Sequence, residues 1–355
     1  SHTSEQRSCE QPIGTLHLKA GVLGKKKLPP EYRIGSPVQP SQNLSYSWEE
    51  AKNIILKAFC DFNPEFGKIA EMFFDKGWID ARYMDGKSPR AFTYPAIADH
   101  KKMAVNPMIL VNFNGKLDHV ISLAHELGHG IFEYLAAGQG TAGHMPIPLP
   151  WEETISFLAE TMVFDQLLKD LDTREYVDKN EKIKIKQYLM FTQMQRTMNK
   201  IMDQVCVYRF EQAFHNHFCD KGEFSVNDLS EMWLEETQKK NGAAAPPVGD
   251  YDHSFAACLP CTNEAFGAIA YPFGALLALG LWEYRKKPDF AEKFLNLLRK
   301  GGDICVEDFQ ELFGWDLQHV QFWNDMLGKV SDKVHEVETL CRPTYPGLNK
   351  SANPA

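Results

Sequence analysis

A chain of 355 residues, 44% hydrophobic and 24% charged, has ordinary globular composition and enough apolar material for one large core or two. A formal net charge of −9 argues against a surface built to hold polyanions, so neither nucleic acid nor an anionic membrane is expected as a partner. Eight cysteines over this length are not a disulfide framework and point to the cytoplasm or another reducing compartment.

Residues 1–42 are rich in Pro, Gly, Ser and Lys without a sustained period, and read as an arm or linker. No secretory signal opens them, and the missing initiator Met fits a fragment or a processed product. Ser47 and Glu50 have capping-box spacing and start a helix carrying Ile54, Ala58 and Phe59. Asn63-Pro64 punctuates, and a second helix runs to about Lys76. Residues 90–97 and 107–113 are short, β-branched and aromatic, and read as two strands around a turn. An edge of that pair could hold an extended peptide backbone.

Asn114-Gly115 then turns into a helix with Asp118 as the expected N-cap, an apolar stripe through Val120, Leu123, Leu127 and Ile131, and Gly138 as its stop. Within it His125, Glu126 and His129 form H-E-x-x-H. Residues four apart lie on one helix face, so both imidazoles can address one cation, as zinc requires of its first two protein ligands. Glu126 then lies beside the metal, where its carboxylate can take a proton from the attacking water.

From Trp151 onward the chain reads as almost wholly helical: about 151–171, 180–218, 225–240, 263–286, 288–300, 306–313 and 317–339. Residues 265–282 carry no charge, but Gly267, Pro272, Gly274 and Gly280 interrupt them, and a buried helix is expected rather than a membrane span. The helix from Trp151 offers a third ligand. Glu153, Ser156 and Glu160 share a face, whereas the competing Glu152 falls on a different one. Glu153 is therefore the expected ligand, and Glu160 the carboxylate that accepts the second ring N–H of a ligating histidine.

Several stretches together resemble the oligoendopeptidase F branch of the thimet oligopeptidase-like zinc peptidases: Trp78 to Asp80, Gly86 to Phe92, Pro107 to Phe113, Leu123 to His129, Glu153 to Glu160 and Ala270 to Gly274. The resemblance covers about residues 45–285. It implies a mainly α fold, with a helical zinc-peptidase catalytic lobe over 43–340, one small β-sheet before the H-E-x-x-H helix, and a tail over 341–355. It also implies one Zn2+ per chain and hydrolysis of internal bonds in short unstructured peptides. In that family the glutamate opening E-x-x-S-x-x-x-E, here Glu153, is the third ligand. Tyr271 and His253 match positions that line the family's cleft, and are the candidate donors to the oxyanion.

The chain departs from the family at Phe132, where a histidine is common, at Ser88-Pro89-Arg90, and at Gly267 and Ile269, where tyrosines are usual. At most a remnant of the family's large N-terminal helical region is present, so the chain is expected to be a catalytic-lobe fragment, a compact relative, or a lobe whose missing wall a second chain supplies. Two rival functions follow: a non-catalytic peptide-binding or assembly subunit that retains the zinc site, and a zinc carboxypeptidase of the angiotensin-converting-enzyme type.

Overall fold

The computed structural model describes residues 15–25, 36–39, 44–99, 104–137, 147–173, 178–242, 255 and 265–341. The fold is mainly α with one three-stranded sheet, as the sequence implies. The chain divides into two compact units. One gathers Ser1–Gln39, Met190–Pro272 and Lys329–Ala355; the other gathers Pro40–Leu189 and Phe273–Gly328.

The first helix, α1 (Thr15–Val22), belongs to the first unit, and the second unit opens with α2 (Trp48–Phe62) and α3 (Pro64–Asp75). Ser47 and Glu50 close the expected capping box on α2, and the Asn63 side chain accepts from the Glu65 and Phe66 amides to start α3. Three strands follow: β1 (Ile79–Arg82), β2 (Phe92–Asp99) and β3 (Ala104–Phe113), in the order β1-β3-β2. β2 and β3 are the expected antiparallel pair, with Thr93 opposite Ile109. β1 is a finding beyond that expectation and pairs parallel with β3, Ile79 opposite Ile109. Ile79-Asp80-Ala81-Arg82 alternates apolar and charged, but four residues are too short a run to mark a strand in sequence.

The sheet has an inner and an outer face. Ile109 and Val111 are buried, whereas Phe92, Tyr94 and Met108 stand exposed on the other side. The inner face packs on α4 (Leu117–Ala137), where a Cβ on Gly130 would meet the Phe73 ring at 2.6 Å and Ile109 Cδ1 at 3.6 Å. Asp118 is not the cap of α4; it lies inside the first turn, because Lys116 already accepts from the His119 and Val120 amides. Gly138, the expected stop, lies outside the described residues.

α5 (Leu149–Thr173) crosses α4 closely. A Cβ on Gly128 would sit 2.8 Å from Ser156 Cα and 3.2 Å from Ala159 Cβ, so only glycine lets the two backbones approach this far. Every residue from Glu153 to Glu160 is buried, and Trp151 stacks on Phe309 at 5.2 Å.

The long helix expected over 180–218 is observed as α6 (Lys179–Met198) and α7 (Gln204–Lys221), joined by a π-helical turn at Asn199–Asp203 that widens the ladder by one residue. α8 (Val226–Asn241) starts with a Ser225–Asp228 capping box. Cys206, Val207, Phe210, Trp233 and Ala268 make the apolar core of the first unit. This unit also holds α1, inside the stretch expected as an arm, where Leu18, Ala20 and Val22 are buried. The remaining helices are α9 (Ala270–Tyr284), α10 (Phe290–Leu298), α11 (Val306–Phe313) and α12 (Val320–Cys341). Among the described residues no helix is long and apolar enough to cross a membrane.

Candidate metal centre

The H-E-x-x-H pattern lies mid-helix in α4, and the one-turn offset brings His125 and His129 face to edge, with ring centroids 4.8 Å apart and Nε2 atoms 3.2 Å apart. From α5, Glu153 Oε2 lies 3.5 Å from His125 Nε2, and Oε1 lies 4.0 Å from His129 Nε2. Donor atoms of these three residues fall within 4.8 Å of one another, a group able to hold a metal ion. Tetrahedral zinc with bonds of ~2.0–2.2 Å would space its donors by about 3.3–3.6 Å, close to the two shorter separations.

Proton positions support the fit. His125 Nδ1 lies 2.8 Å from Glu160 Oε1, and a carboxylate there only accepts. The Nδ1–H therefore donates to Glu160, which leaves a lone pair on Nε2 facing His129 and Glu153. Two imidazoles and a carboxylate can thereby offer electron pairs to one point, a donor set that fits a metal ion. His129 Nδ1, by contrast, is buried without a hydrogen-bond partner among the described residues.

The site's titration follows its burial. Burial opposes a charged His125 ring, but the Glu160 hydrogen bond and the charges of Glu153, Glu160 and Glu126 outweigh it and raise its pKa. His129 is held well below the usual histidine value by burial and by His125. Glu126, only 5% exposed, has its pKa raised, first by burial, with Glu160 adding to it and with His125 and a bond from Thr93 opposing it.

Two further carboxylates lie beside the site: Glu152, weighed above as a rival ligand, and Glu133, which was not singled out in the sequence. Burial, then the charges of Glu152 and Glu126, push Glu133 up to about 8; burial and Glu153 push Glu152 up to about 7. The helix repeat would have found Glu133, since Glu126, His129 and Glu133 have the same i, i+3, i+7 spacing that selected Glu153 and Glu160. The folded pKa of Glu133 lies above its ordinary value of 4.5, so the native state binds the proton more tightly than the unfolded chain. That contribution is whole below about pH 4.5 and is lost as pH rises through about 8, up to roughly 5 kcal/mol in all. Glu133→Gln is expected to change the Tm of the metal-free protein little at pH 4 and to raise it increasingly from there to pH 9. Unaltered pH dependence in thermal denaturation would refute this.

Sequence reasoning also missed Gly274. A Cβ there would lie 2.9 Å from the Thr154 amide nitrogen and 3.0 Å from Glu153 Cβ, so α9 rests directly on the backbone that carries the third donor. Thr93, on β2, is the other residue missed; its hydroxyl reaches Glu126. Of the two expected oxyanion donors, Tyr271 is half-buried in the first turn of α9, within the first unit, and His253 lies outside the described residues.

A paired-histidine helix, a glutamate from the next helix and a second glutamate alongside, set in a helical lobe, are the residue pattern of a metallopeptidase metal centre. The chain belongs to peptidase family M3, whose model matches residues 61–328. Within that family it is similar to the oligoendopeptidase F branch. It is 25% identical over 293 residues to an oligoendopeptidase F homolog of Borreliella burgdorferi, covering 81% of this chain and 46% of that protein. It is 23% identical over 216 residues to oligopeptidase PepF of Bacillus subtilis, covering 59% and 29%. The chain thus spans about half or less of the length of the curated relatives it matches. Among solved structures, PZ peptidase A with an inhibitor superposes with a TM-score of 0.70 at 15% identity, over 92% of this chain and 57% of that one. Oligoendopeptidase F from Enterococcus faecium gives 0.54 at 17% identity, over 92% and 51%. These two likenesses establish the fold.

Proposed function

We propose that this chain is a zinc-dependent endopeptidase lobe acting on internal bonds of short, unstructured peptides. His125, His129 and Glu153 serve as metal ligands and Glu126 as general base. The observation that carries the reading is the convergence of His125 Nε2, His129 Nε2 and a Glu153 oxygen, with the buried Glu126 carboxylate on the same helix. Zinc, when bound, supplies Lewis acidity and makes a water acidic enough to lose its proton near neutral pH.

The protein's own groups do the rest. Glu126 accepts the proton of the attacking water on its carboxylate and returns it to the leaving amine nitrogen. Burial favours the protonated form it holds between those two transfers. Glu160 keeps the proton of His125 on Nδ1, so Nε2 faces the metal. Tyr271 and His253 are proposed, on the family's motifs, to donate to the charge that develops on the scissile carbonyl oxygen. β2 is an outer strand of the sheet and touches Glu126 through Thr93, so an extended substrate paired along it would lie beside the general base. Among the described residues Cys60, Cys206, Cys219 and Cys305 are free thiols, which favours a reducing compartment.

Mass analysis of products from a library of unstructured peptides tests the reading. Internal cuts that stop on chelation are expected. Stepwise loss from the C-terminus would make the chain a carboxypeptidase, and a metal-loaded protein that cuts nothing would make it a binding subunit.

A further inference from the structure

Thr93 has a single hydroxyl proton and two acceptors within reach, both on one residue: Glu126 Oε2 at 2.8 Å and the Glu126 backbone oxygen at 3.0 Å. The strand geometry makes this contact firm. Phe92 and Tyr94 point to the outer face and are exposed, so the two-residue alternation turns Thr93 inward toward α4. Its backbone is registered opposite the buried Ile109, which fixes its height along the helix. A β-branched side chain in a strand has few χ1 choices, so the hydroxyl is held in place rather than searching for its partner. Glu126 by contrast has a flexible three-torsion side chain, and the Thr93 bond is the hydrogen bond that ties its carboxylate to the sheet.

We propose that Thr93 is a positioning residue for Glu126: its hydroxyl clamps the carboxylate to the sheet edge along which substrate would lie, and fixes the rotamer from which Glu126 takes the proton. The two acceptors give the clamp a further property. With Glu126 ionised, the hydroxyl donates to Oε2. With Glu126 protonated, rotation about the Cβ–Oγ1 bond redirects the same proton to the Glu126 backbone oxygen, and Oγ1 is free to accept from the carboxylic acid. No proton is gained or lost by Thr93, and the carboxyl stays tethered in both states. Valine has the same shape and cannot do this; serine can.

The inference rests on the reading of Glu126 as general base, so the experiment separates the two. Zinc-loaded Thr93→Val, Thr93→Ser, Glu126→Gln and the double variant Thr93→Val/Glu126→Gln are compared by kcat, KM, metal content and crystal structure. Misplacement of a reacting group by an ångström or so costs about 10²-fold, so Thr93→Val should lower kcat about 10- to 100-fold with KM within about threefold and zinc retained. Thr93→Ser should recover most of the loss. In the Glu126→Gln background Thr93→Val should cost nothing further, because its only route to the reaction has gone. In the crystal, Glu126 should spread over more than one rotamer in Thr93→Val and keep one in Thr93→Ser. Equal losses from Thr93→Val in both backgrounds, or a single unmoved Glu126 rotamer without the hydroxyl, would overturn the clamp. Wild-type turnover by Glu126→Gln would instead overturn the general-base reading, and the rotamer comparison would then decide the clamp alone.

Discussion

Glu126→Gln is expected to lower kcat by about 10²–10⁴-fold, ~3–5 kcal/mol of transition-state stabilisation, while the metal content stays that of the wild type. The amide keeps the shape of the side chain and can still accept from the Thr93 hydroxyl through its oxygen, so packing is preserved. What it loses is the ability to take up a proton. Glu126 is 5% exposed and its pKa is raised chiefly by burial, so no bulk carboxylate or solvent base stands ready to replace it. It is not among the three groups whose donor atoms converge, which is why zinc should remain. Single-turnover kinetics on a quenched peptide, with zinc measured on the same samples, checks both halves. Loss of turnover together with loss of zinc would make Glu126 part of the metal's support rather than the base. Unchanged turnover would remove it from the chemistry.

The features of this site that could be read in the sequence are those written along one helix. His125 and His129 are separated by one turn, and Glu153, Ser156 and Glu160 recur at three and seven, so the 3.6-residue repeat alone assigns them to faces. The structure then places Glu160 on His125 and Glu153 opposite both rings. What could not be read is what one element presents to another. Strand alternation in 92–94 says that Thr93 faces away from Phe92 and Tyr94, but not that Glu126 waits on that side. Gly274 and Gly128 act through the absence of a side chain, and a sequence does not show which backbone comes close enough to require it. β1 was hidden because its partner is β3, some thirty residues away, and its own alternation runs for only four residues. The expected cap at Asp118 failed for a smaller reason: the helix starts two residues earlier than that cap requires, with the Lys116 carbonyl already taking the first amides.

The second large effect is expected at the third donor, and it ranks three glutamates of one helix. Glu153→Ala should weaken zinc binding by more than the ~10–100-fold that an outer hydrogen-bonding partner is worth, because it removes a carboxylate whose oxygens lie 3.5 Å and 4.0 Å from the two histidine nitrogens. Glu160→Gln should fall within that ~10–100-fold range, since it removes the charge that holds the His125 Nδ1 proton but leaves all three donors in place. Glu152→Ala should retain zinc: this residue neighbours Glu153 in sequence, but its carboxylate is not among the converging donors. The ranking is measured by titrating each variant against a competing chelator and assaying the metal retained. Gly274→Ala adds an independent test of the same geometry. Its new methyl would press on the Glu153 backbone and Cβ at about 3 Å, so it should weaken zinc without touching any donor. Zinc loss confined to Glu152→Ala would transfer the third ligand to Glu152. It would also require α5 to turn by about 100° about its axis, which the close contact of Gly128 with Ser156 and Ala159 opposes.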